Sequence, residues 1–160
     1  MVRKKSSAAT GDPWPTALRL LTRRDYGTEE LRRRLLDKGF AAEAVDRAIL
    51  RGVALGYLDD ARHVERLART LLETGRAAGP RLTMELRRRG LPEELIHAVA
   101  TENRAAGIEA DALRALVARR FAAFDYAAAD DRERRKVVYY LQRRGFPLDR
   151  ILNELKRTDR

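Results

Sequence analysis

Apolar residues recur along the chain with the same spacing in three places. When the chain is aligned on Gly39, Gly90 and Gly145, apolar residues coincide eight and four positions before each glycine, and one, six and ten positions after it. The recurring segments are LRRRLLDKGFAAEAVDRAI (31–49), LTMELRRRGLPEELIHAVA (82–100) and VVYYLQRRGFPLDRILNEL (137–155). The glycines are 51 and then 55 residues apart, a period typical of repeat arrays in which each unit packs on the next.

The spacing within each unit is that of α-helices. Val64, Leu67, Ala68, Leu71 and Leu72 stand at i, i+3, i+4, i+7 and i+8, which places them on one helical face. Each aligned glycine is predicted to end a helix in the left-handed conformation, and no segment alternates apolar and polar residues as a strand does. We therefore predict an all-α fold of nine short helices in three tandem three-helix repeats.

The predicted organisation is a tail followed by three units. Residues 1–13 are basic and without periodicity, and are expected to be disordered. The repeats are predicted at 14–56, 57–103 and 104–160. A unit of about 50 residues buries too little surface to be independently stable, so the repeats are expected to pack on one another.

The net charge of +10 is evidence about the kind of partner that the chain binds. The charge is uneven, because residues 57–103 are neutral whereas residues 104–160 carry +5. An excess of this size favours an anionic partner, either nucleic acid or an acidic or nucleic-acid-bearing protein assembly. The alternative is a helical protein rich in arginine for unrelated reasons, since 29 of the 34 cations are Arg.

Several classes of protein are disfavoured by the sequence. There is no cysteine, which suits a reducing cytoplasm and leaves no thiolate metal site, and no apolar run of the length of a membrane span. His63 and His97 fit no metal-ligand spacing, and phosphate-loop and dinucleotide glycine motifs are absent. The expectation is a cytoplasmic binding protein without metal, cofactor or catalytic residues.

Three basic clusters are the candidate binding residues. Each lies on the middle helix of a repeat, toward its C-terminal half, and the clusters are interpreted as recurring at equivalent positions. Stacked repeats are then predicted to line them along one edge, where guanidinium groups engage phosphates or carboxylates. For each single arginine, a solvated helix face is the alternative. The residues are Arg32, Arg33, Arg34, Arg87, Arg88, Arg89, Arg143 and Arg144.

Two further groups have a structural and a functional interpretation. Asp59 and Asp60 form a carboxylate pair, but at the start of a helix aspartate is typically a cap, as is Thr28 before the second helix. Tyr139 and Tyr140 lie beside the third basic cluster. They are interpreted as one core and one surface tyrosine, with stacking on single-stranded nucleic acid as the alternative.

The sequence resembles the RecX family over about residues 15–155. The resemblance rests on GYLDDAR (56–62), GPRL (79–82) and ELRRRGL (85–91), together with ALRLL (17–21) and ELRRRL (30–35) followed by Gly39. Its signature positions in this chain are Gly56, Tyr57, Leu58, Asp59, Asp60, Gly79, Leu86 and Gly90.

The resemblance implies both a shape and a partner. Members of the family are elongated, curved arrays of three three-helix repeats, thought to lie in the helical groove of the RecA–DNA filament. The expected function is therefore that of a monomeric negative regulator of RecA, with inhibition of its recombinase, ATPase and coprotease activities and with single- or double-stranded DNA as a secondary contact. The alternative is a DNA-binding module that acts directly on nucleic acid through helix-turn-helix-like units.

Overall fold

The computed structural model describes residues 11–157, and within this range the secondary structure consists of nine helices and no strand. The predicted disordered tail lies outside the described residues except for positions 11–13. Of these, Pro13 is buried and directly precedes the first helix, whose Trp14 amide donates to the Asp12 carboxylate at 2.9 Å. The helices are α1 (Trp14–Leu21), α2 (Thr28–Asp37), α3 (Ala42–Ala54), α4 (Asp60–Glu73), α5 (Gly79–Arg88), α6 (Glu93–Ala105), α7 (Ile108–Arg120), α8 (Asp131–Gln142) and α9 (Leu148–Arg157).

The aligned glycines end the middle helices, as predicted. Gly39, Gly90 and Gly145 follow α2, α5 and α8 with φ of 89°, 68° and 95°. After the first and third of them, the next amide donates back into the helix, Phe40 to the Leu35 carbonyl and Phe146 to the Leu141 carbonyl, each at 3.4 Å. This is the bond pattern of a left-handed helix stop, and it turns the chain so that the third helix of each repeat packs on the second.

The helices pack in threes but bury two cores. The first repeat has a core of its own, whereas the second and third repeats share one, because α7 packs on both α4 and α6. Among the described residues, no helix of the first repeat is in extensive contact with a helix of the third, which makes the array elongated. The predicted fold class, three stacked three-helix repeats, is confirmed. The first core comprises Trp14, Ala17, Tyr26, Leu31, Leu35, Val45, Ala48, Ile49 and Leu58.

The middle helices follow one another head to tail. At the second junction, the Ala78 amide just before α5 donates to the Arg144 carbonyl just after α8 at 2.8 Å. At the first junction, Gly90 after α5 lies against the backbone of Glu30 in the first turn of α2, and Gly27 lies against the Arg89 carbonyl. The C-terminal end of each later middle helix therefore meets the N-terminal end of the earlier one. This arrangement brings opposite ends of the helix dipoles together.

Each repeat also caps the middle helix of the repeat before it. The Thr28 amide at the start of α2 donates to the Asp60 carboxylate of α4 at 2.8 Å, and the Gly79 amide at the start of α5 donates to the Glu109 carboxylate of α7 at 3.2 Å. The prediction that Thr28 caps α2 was wrong. Gly27 stands at the cap position without a side chain, and the acceptor that the exposed amides need comes from the next repeat.

The third middle helix, α8, is capped by residues of its own repeat. Asp130 and Glu133 form a reciprocal capping box at the start of α8, with amide–carboxylate distances of 2.8 and 3.1 Å. At α8, a local motif thus takes the place of the inter-repeat bond that caps α2 and α5. Of the helices in the described part of the chain, none has the length and apolarity needed to cross a membrane.

Candidate partner-binding surface

A basic cleft lies at the second junction, where α8 meets the start of α5. Its volume is about 500 Å³, and its lining combines five cationic side chains with two tyrosines and no carboxylate. The cations come from three parts of the chain that the head-to-tail contact brings together: the loop after α4, the first turn of α5, and the middle of α8 with the two residues that follow the helix. The lining residues are Arg76, Arg81, Lys136, Tyr139, Tyr140, Arg143 and Arg144.

The two tyrosines of the cleft differ in exposure and in partners. Tyr140 is half-buried, meets Phe121 edge to face at 5.3 Å, and has the Arg144 and Arg120 guanidinium groups over its ring at 3.6 and 4.8 Å. Tyr139 is 61% exposed, with Arg143 at 5.6 Å from the ring centre. Tyr140 is thus packed and Tyr139 lies on the surface, in line with the interpretation from the sequence. Both rings nevertheless line the same cleft.

The chemistry of this cleft suits an anion that carries a flat face. Clefts lined by one sign of charge concentrate oppositely charged ligands, and guanidinium groups bind phosphates and carboxylates through paired donors. The exposed ring of Tyr139 is a stacking surface of the kind used for single-stranded bases. Arg144 is committed to the Tyr140 ring, whereas Arg143 and Arg76 are exposed.

The second basic cluster lies at the first junction and is largely paired within the molecule. Arg87 makes a bidentate ion pair with Glu93 and holds the pKa of that carboxyl below its ordinary value. Arg88 lies 3.7 Å from the Glu85 carboxylate. The backbone of Arg89 forms the contact with the first repeat. This cluster therefore offers fewer uncommitted cations than the cleft does.

The first cluster departs from the predicted row. Counted back from the helix-ending glycine, Arg32–Arg34 lie five to seven positions away, whereas 87–89 and 143–144 lie one to three positions away. The interpretation of equivalent positions was therefore wrong for this cluster. Arg32 is tied to Asp46 of α3 at 2.7 Å, while Arg33 and Arg34 share a depression with Glu30, Asp37 and Lys38. The surface there is of mixed sign, and a binding role for the three clusters stays a prediction.

Sequence reasoning missed Arg76, Arg81 and Lys136 as parts of the candidate site. A signal existed for Lys136, since residues 136, 140 and 143 are spaced i, i+4 and i+7 along one face of α8. No such signal existed for Arg76 and Arg81, which reach the cleft only because the Gly145 turn seats on Ala78 and Gly79.

The signature residues of the sequence build the junctions. Leu58 is 3% exposed and packs on Gly52 of α3, and the exposed Tyr57 lies on Trp14 with ring centroids 6.1 Å apart. Asp59 caps its own helix by accepting from the Arg62 amide at 2.9 Å, as predicted, while Asp60 caps α2. Gly79 and Gly90 are the close-contact points of the two junctions, and Leu86 is fully buried between them along α5.

The two histidines have different surroundings. His97 is exposed, whereas His63 is 5% exposed at the first junction, where burial lowers its pKa. Within residues 11–157, no three His, Asp or Glu side chains are grouped in a way that would hold a metal ion.

Comparison with known proteins places this architecture in a family. The model of the first three-helix domain of RecX matches residues 16–51, and that of the third three-helix domain matches residues 108–153. Among curated proteins, Regulatory protein RecX of Trichlorobacter lovleyi is 49% identical over 140 residues, which cover 88% of this chain and 91% of the relative. Regulatory protein RecX of Syntrophotalea carbinolica is 41% identical over 135 residues, covering 84% and 88% of the two chains.

A solved structure has the same fold at low sequence identity. The crystal structure of RecX from Lactobacillus salivarius superposes with a TM-score of 0.70 at 17% identity, over 91% of this chain and 94% of that one. The fold, the two matching domains and the identity over most of the length agree, and the chain belongs to the RecX family of regulatory proteins.

Proposed function

We propose that the chain is a negative regulator of the RecA recombinase that binds the RecA–DNA filament and inhibits its recombinase, ATPase and coprotease activities. Membership of a regulatory family supports a role through binding, and we expect the protein to act as a monomer in the cytoplasm. The observation that carries the proposal is the head-to-tail order of the middle helices. It places the second and third basic clusters at successive junctions along one direction of an elongated molecule, which suits a partner built of repeating subunits.

The physical basis is attachment at several points. Once one repeat is bound, the next repeat is held near its own contact at a high effective concentration, so weak contacts add up to tight binding. Such a molecule would contact several RecA subunits at once. The proposal therefore expects inhibition well below one molecule per RecA subunit.

The test is a titration of the single-stranded-DNA-dependent ATPase of RecA with this protein. Inhibition at a small fraction of the RecA concentration supports binding to the filament. Inhibition that sets in only when the protein is sufficient to cover the DNA would contradict the proposal, because competition for the strand would then explain it.

A second candidate, direct binding to single-stranded nucleic acid, is favoured by the cleft with Tyr139 and its surrounding cations. Anisotropy of a labelled oligothymidine distinguishes the two. A strand held by phosphate contacts loses affinity with salt at a log–log slope of about −0.7 per contact. Strong, salt-sensitive binding without RecA favours the second candidate, whereas weak binding together with substoichiometric ATPase inhibition favours the first.

A further inference from the structure

An open groove lies on the second and third repeats, between α4, α6 and α7. Its volume is about 570 Å³, and its lining is mainly apolar at the bottom and acidic at the rim. Leu72, Val99 and Ala112 are buried at the floor, while Ile108 is 41% exposed. The rim carries four carboxylates and one cation: Glu65, Glu73, Glu102, Asp111 and Arg69.

The corresponding place at the first junction is filled by the chain itself. There, the five-residue linker between α3 and α4 carries Leu58 back onto Gly52, whose missing side chain leaves the room for it. The position 51 residues later is Asn103, and the linker between α6 and α7 has only two residues, Ala106 and Gly107. No linker side chain equivalent to Leu58 is therefore available at the second junction, and the groove stays open.

Asn103 gives the groove a polar group that lacks a partner. The residue is 8% exposed, and its side-chain Nδ2 has no hydrogen-bond acceptor among the described residues. A buried amide donor without an acceptor costs free energy. An acceptor oxygen on a molecule that occupies the groove would satisfy it.

The charge of the groove is opposite to that of the molecule. The chain carries +10 overall, but this rim has three more acidic than basic groups. Asp111 is paired with Arg114 at 3.0 Å, while Glu65, Glu73 and Glu102 make no ion pair in the described part of the chain. The rim therefore favours a cationic occupant, and the apolar floor favours one with a hydrocarbon side chain.

We infer that this groove binds a short basic segment of a partner protein, anchored by one large apolar side chain. The anchor would lie on Leu72, Val99 and Ala112, and a backbone carbonyl beside it would accept from Asn103 Nδ2. Lysine or arginine residues flanking the anchor would pair with Glu73 and Glu102. The groove shares no lining residue with the basic cleft. A failed test of this site would therefore leave the proposed RecA function untouched, and the reverse also holds.

The test is a selection of displayed random dodecamer peptides on the full chain. The expected result is enrichment of peptides with an apolar residue between lysines or arginines. Affinity of the enriched peptides, measured by anisotropy, should fall at least tenfold for Ala115→Arg, which fills the exposed edge of the groove with a cation. It should fall similarly for the Glu73→Gln/Glu102→Gln double variant.

The matched control removes two exposed carboxylates elsewhere, Glu43→Gln with Glu94→Gln, and should bind as the parent does. On adding peptide, the Asn103 side-chain amide should shift in ¹H–¹⁵N spectra. The inference would be overturned by the absence of enriched peptides, by enriched peptides of acidic character, or by equal affinity for Ala115→Arg. Self-association of the chain that Ala115→Arg abolishes would also overturn it, since the occupant would then be a second copy.

Discussion

At the residue scale, His63 is a buried ionisable side chain at the first junction. It lies on the α4 face that meets the first repeat, and neither ring nitrogen has a hydrogen-bond partner in the described residues. The charged groups that face it are Asp25 from the loop after α1, Asp60 and Arg66 from α4, and Arg89 from the end of α5. Burial outweighs the two carboxylates and lowers the pKa of His63 below its ordinary value of 6.5.

The lowered pKa predicts a loss of stability in mild acid. Because the unfolded chain takes up the proton more readily than the folded one, the stabilisation is complete above the unfolded pKa near 6.5 and is lost as the pH falls through and below it. Urea unfolding at pH 7.5 and 5.5 should show a decrease that His63→Leu removes. His97→Gln, which alters the exposed histidine, should keep the decrease; an equal effect of both variants would contradict the assignment.

Asp60 is predicted to stabilise the repeat before its own. Asp60→Ala removes the acceptor of the Thr28 amide and should cost about 1 kcal/mol of unfolding free energy, the usual value of a lost helix cap. Hydrogen exchange at the Thr28 amide should accelerate in this variant. Asp60→Asn keeps an acceptor oxygen and should retain most of the protection. If exchange accelerates only in α4, Asp60 caps its own helix instead.

The sequence predicted that Asp59 and Asp60 are caps but not which helices they serve. The preference of aspartate for helix starts is local and readable in the chain. That Asp60 reaches across 32 residues to Thr28 follows from how two repeats stack, which no local pattern contains. The same local preference predicts that Thr28 caps α2. The residue that accepts from the Thr28 amide is instead Asp60, which belongs to the next repeat.

At the scale of elements, Gly145 is predicted to be indispensable for joining α8 to α5. Its φ of 95° is unfavourable for residues with a side chain, and a methyl group there would overlap the Ala78 carbonyl oxygen and lie 2.9 Å from Arg81 Cβ. Gly145→Ala should therefore lower the free energy of unfolding by more than the about 1 to 2 kcal/mol that a left-handed backbone alone costs. Urea denaturation measures this difference.

Gly56→Ala is the matched control for this prediction. Gly56 also has a positive φ, 73°, but a methyl group there meets nothing within 4 Å. Its substitution should cost only the backbone strain. Equal losses for the two variants would mean that the Gly145 contact contributes nothing beyond local conformation, and that the junction is held by the Ala78–Arg144 bond and the shared core alone.

The helices themselves were predictable, whereas their junctions were not. Apolar spacing and the helix-ending glycines are properties of short stretches of sequence, and the fold class followed from them. The basic cleft combines the predicted Arg143 and Arg144 with Arg76 and Arg81, which lie more than 60 residues earlier in the chain. These residues come together because the backbones of Gly79 and Gly145 are in close contact. In the sequence, the only sign of such a contact is the glycine itself, which does not reveal its partner.

At the scale of the whole molecule, the two cores predict that the first repeat opens before the rest. Leu58, in the linker before α4, belongs to the first core and packs on Gly52 of α3. Leu58→Ala should cost about 3 kcal/mol, as for other buried leucines. Hydrogen exchange should accelerate in α1–α3 and stay slow in α4–α9. A uniform loss of protection over all nine helices would show instead that the repeats unfold as one cooperative unit.

The proposed function predicts that the arginines of the cleft contribute to inhibition of RecA. Arg143→Gln with Arg144→Gln removes two of the five cations of the cleft and should raise the concentration for half-inhibition of the RecA ATPase about tenfold, equivalent to about 1.4 kcal/mol. Arg132→Gln with Arg135→Gln removes the same charge from exposed positions of α8 outside the cleft and should have little effect. Far-ultraviolet circular dichroism should be unchanged in both.

The comparison of these two variants separates position from net charge. If long-range attraction between a basic protein and a nucleoprotein were the only force, both double variants would inhibit equally less than the parent protein. Added salt would then remove the difference in inhibition between the variants and the parent. If the cleft instead makes a specific contact, the Arg143→Gln/Arg144→Gln variant should inhibit less than the Arg132→Gln/Arg135→Gln variant at every salt concentration. Equal inhibition by the two double variants would mean that the net charge of +10 acts only through long-range attraction. The specific contacts of the proposed function would then lie elsewhere on the array.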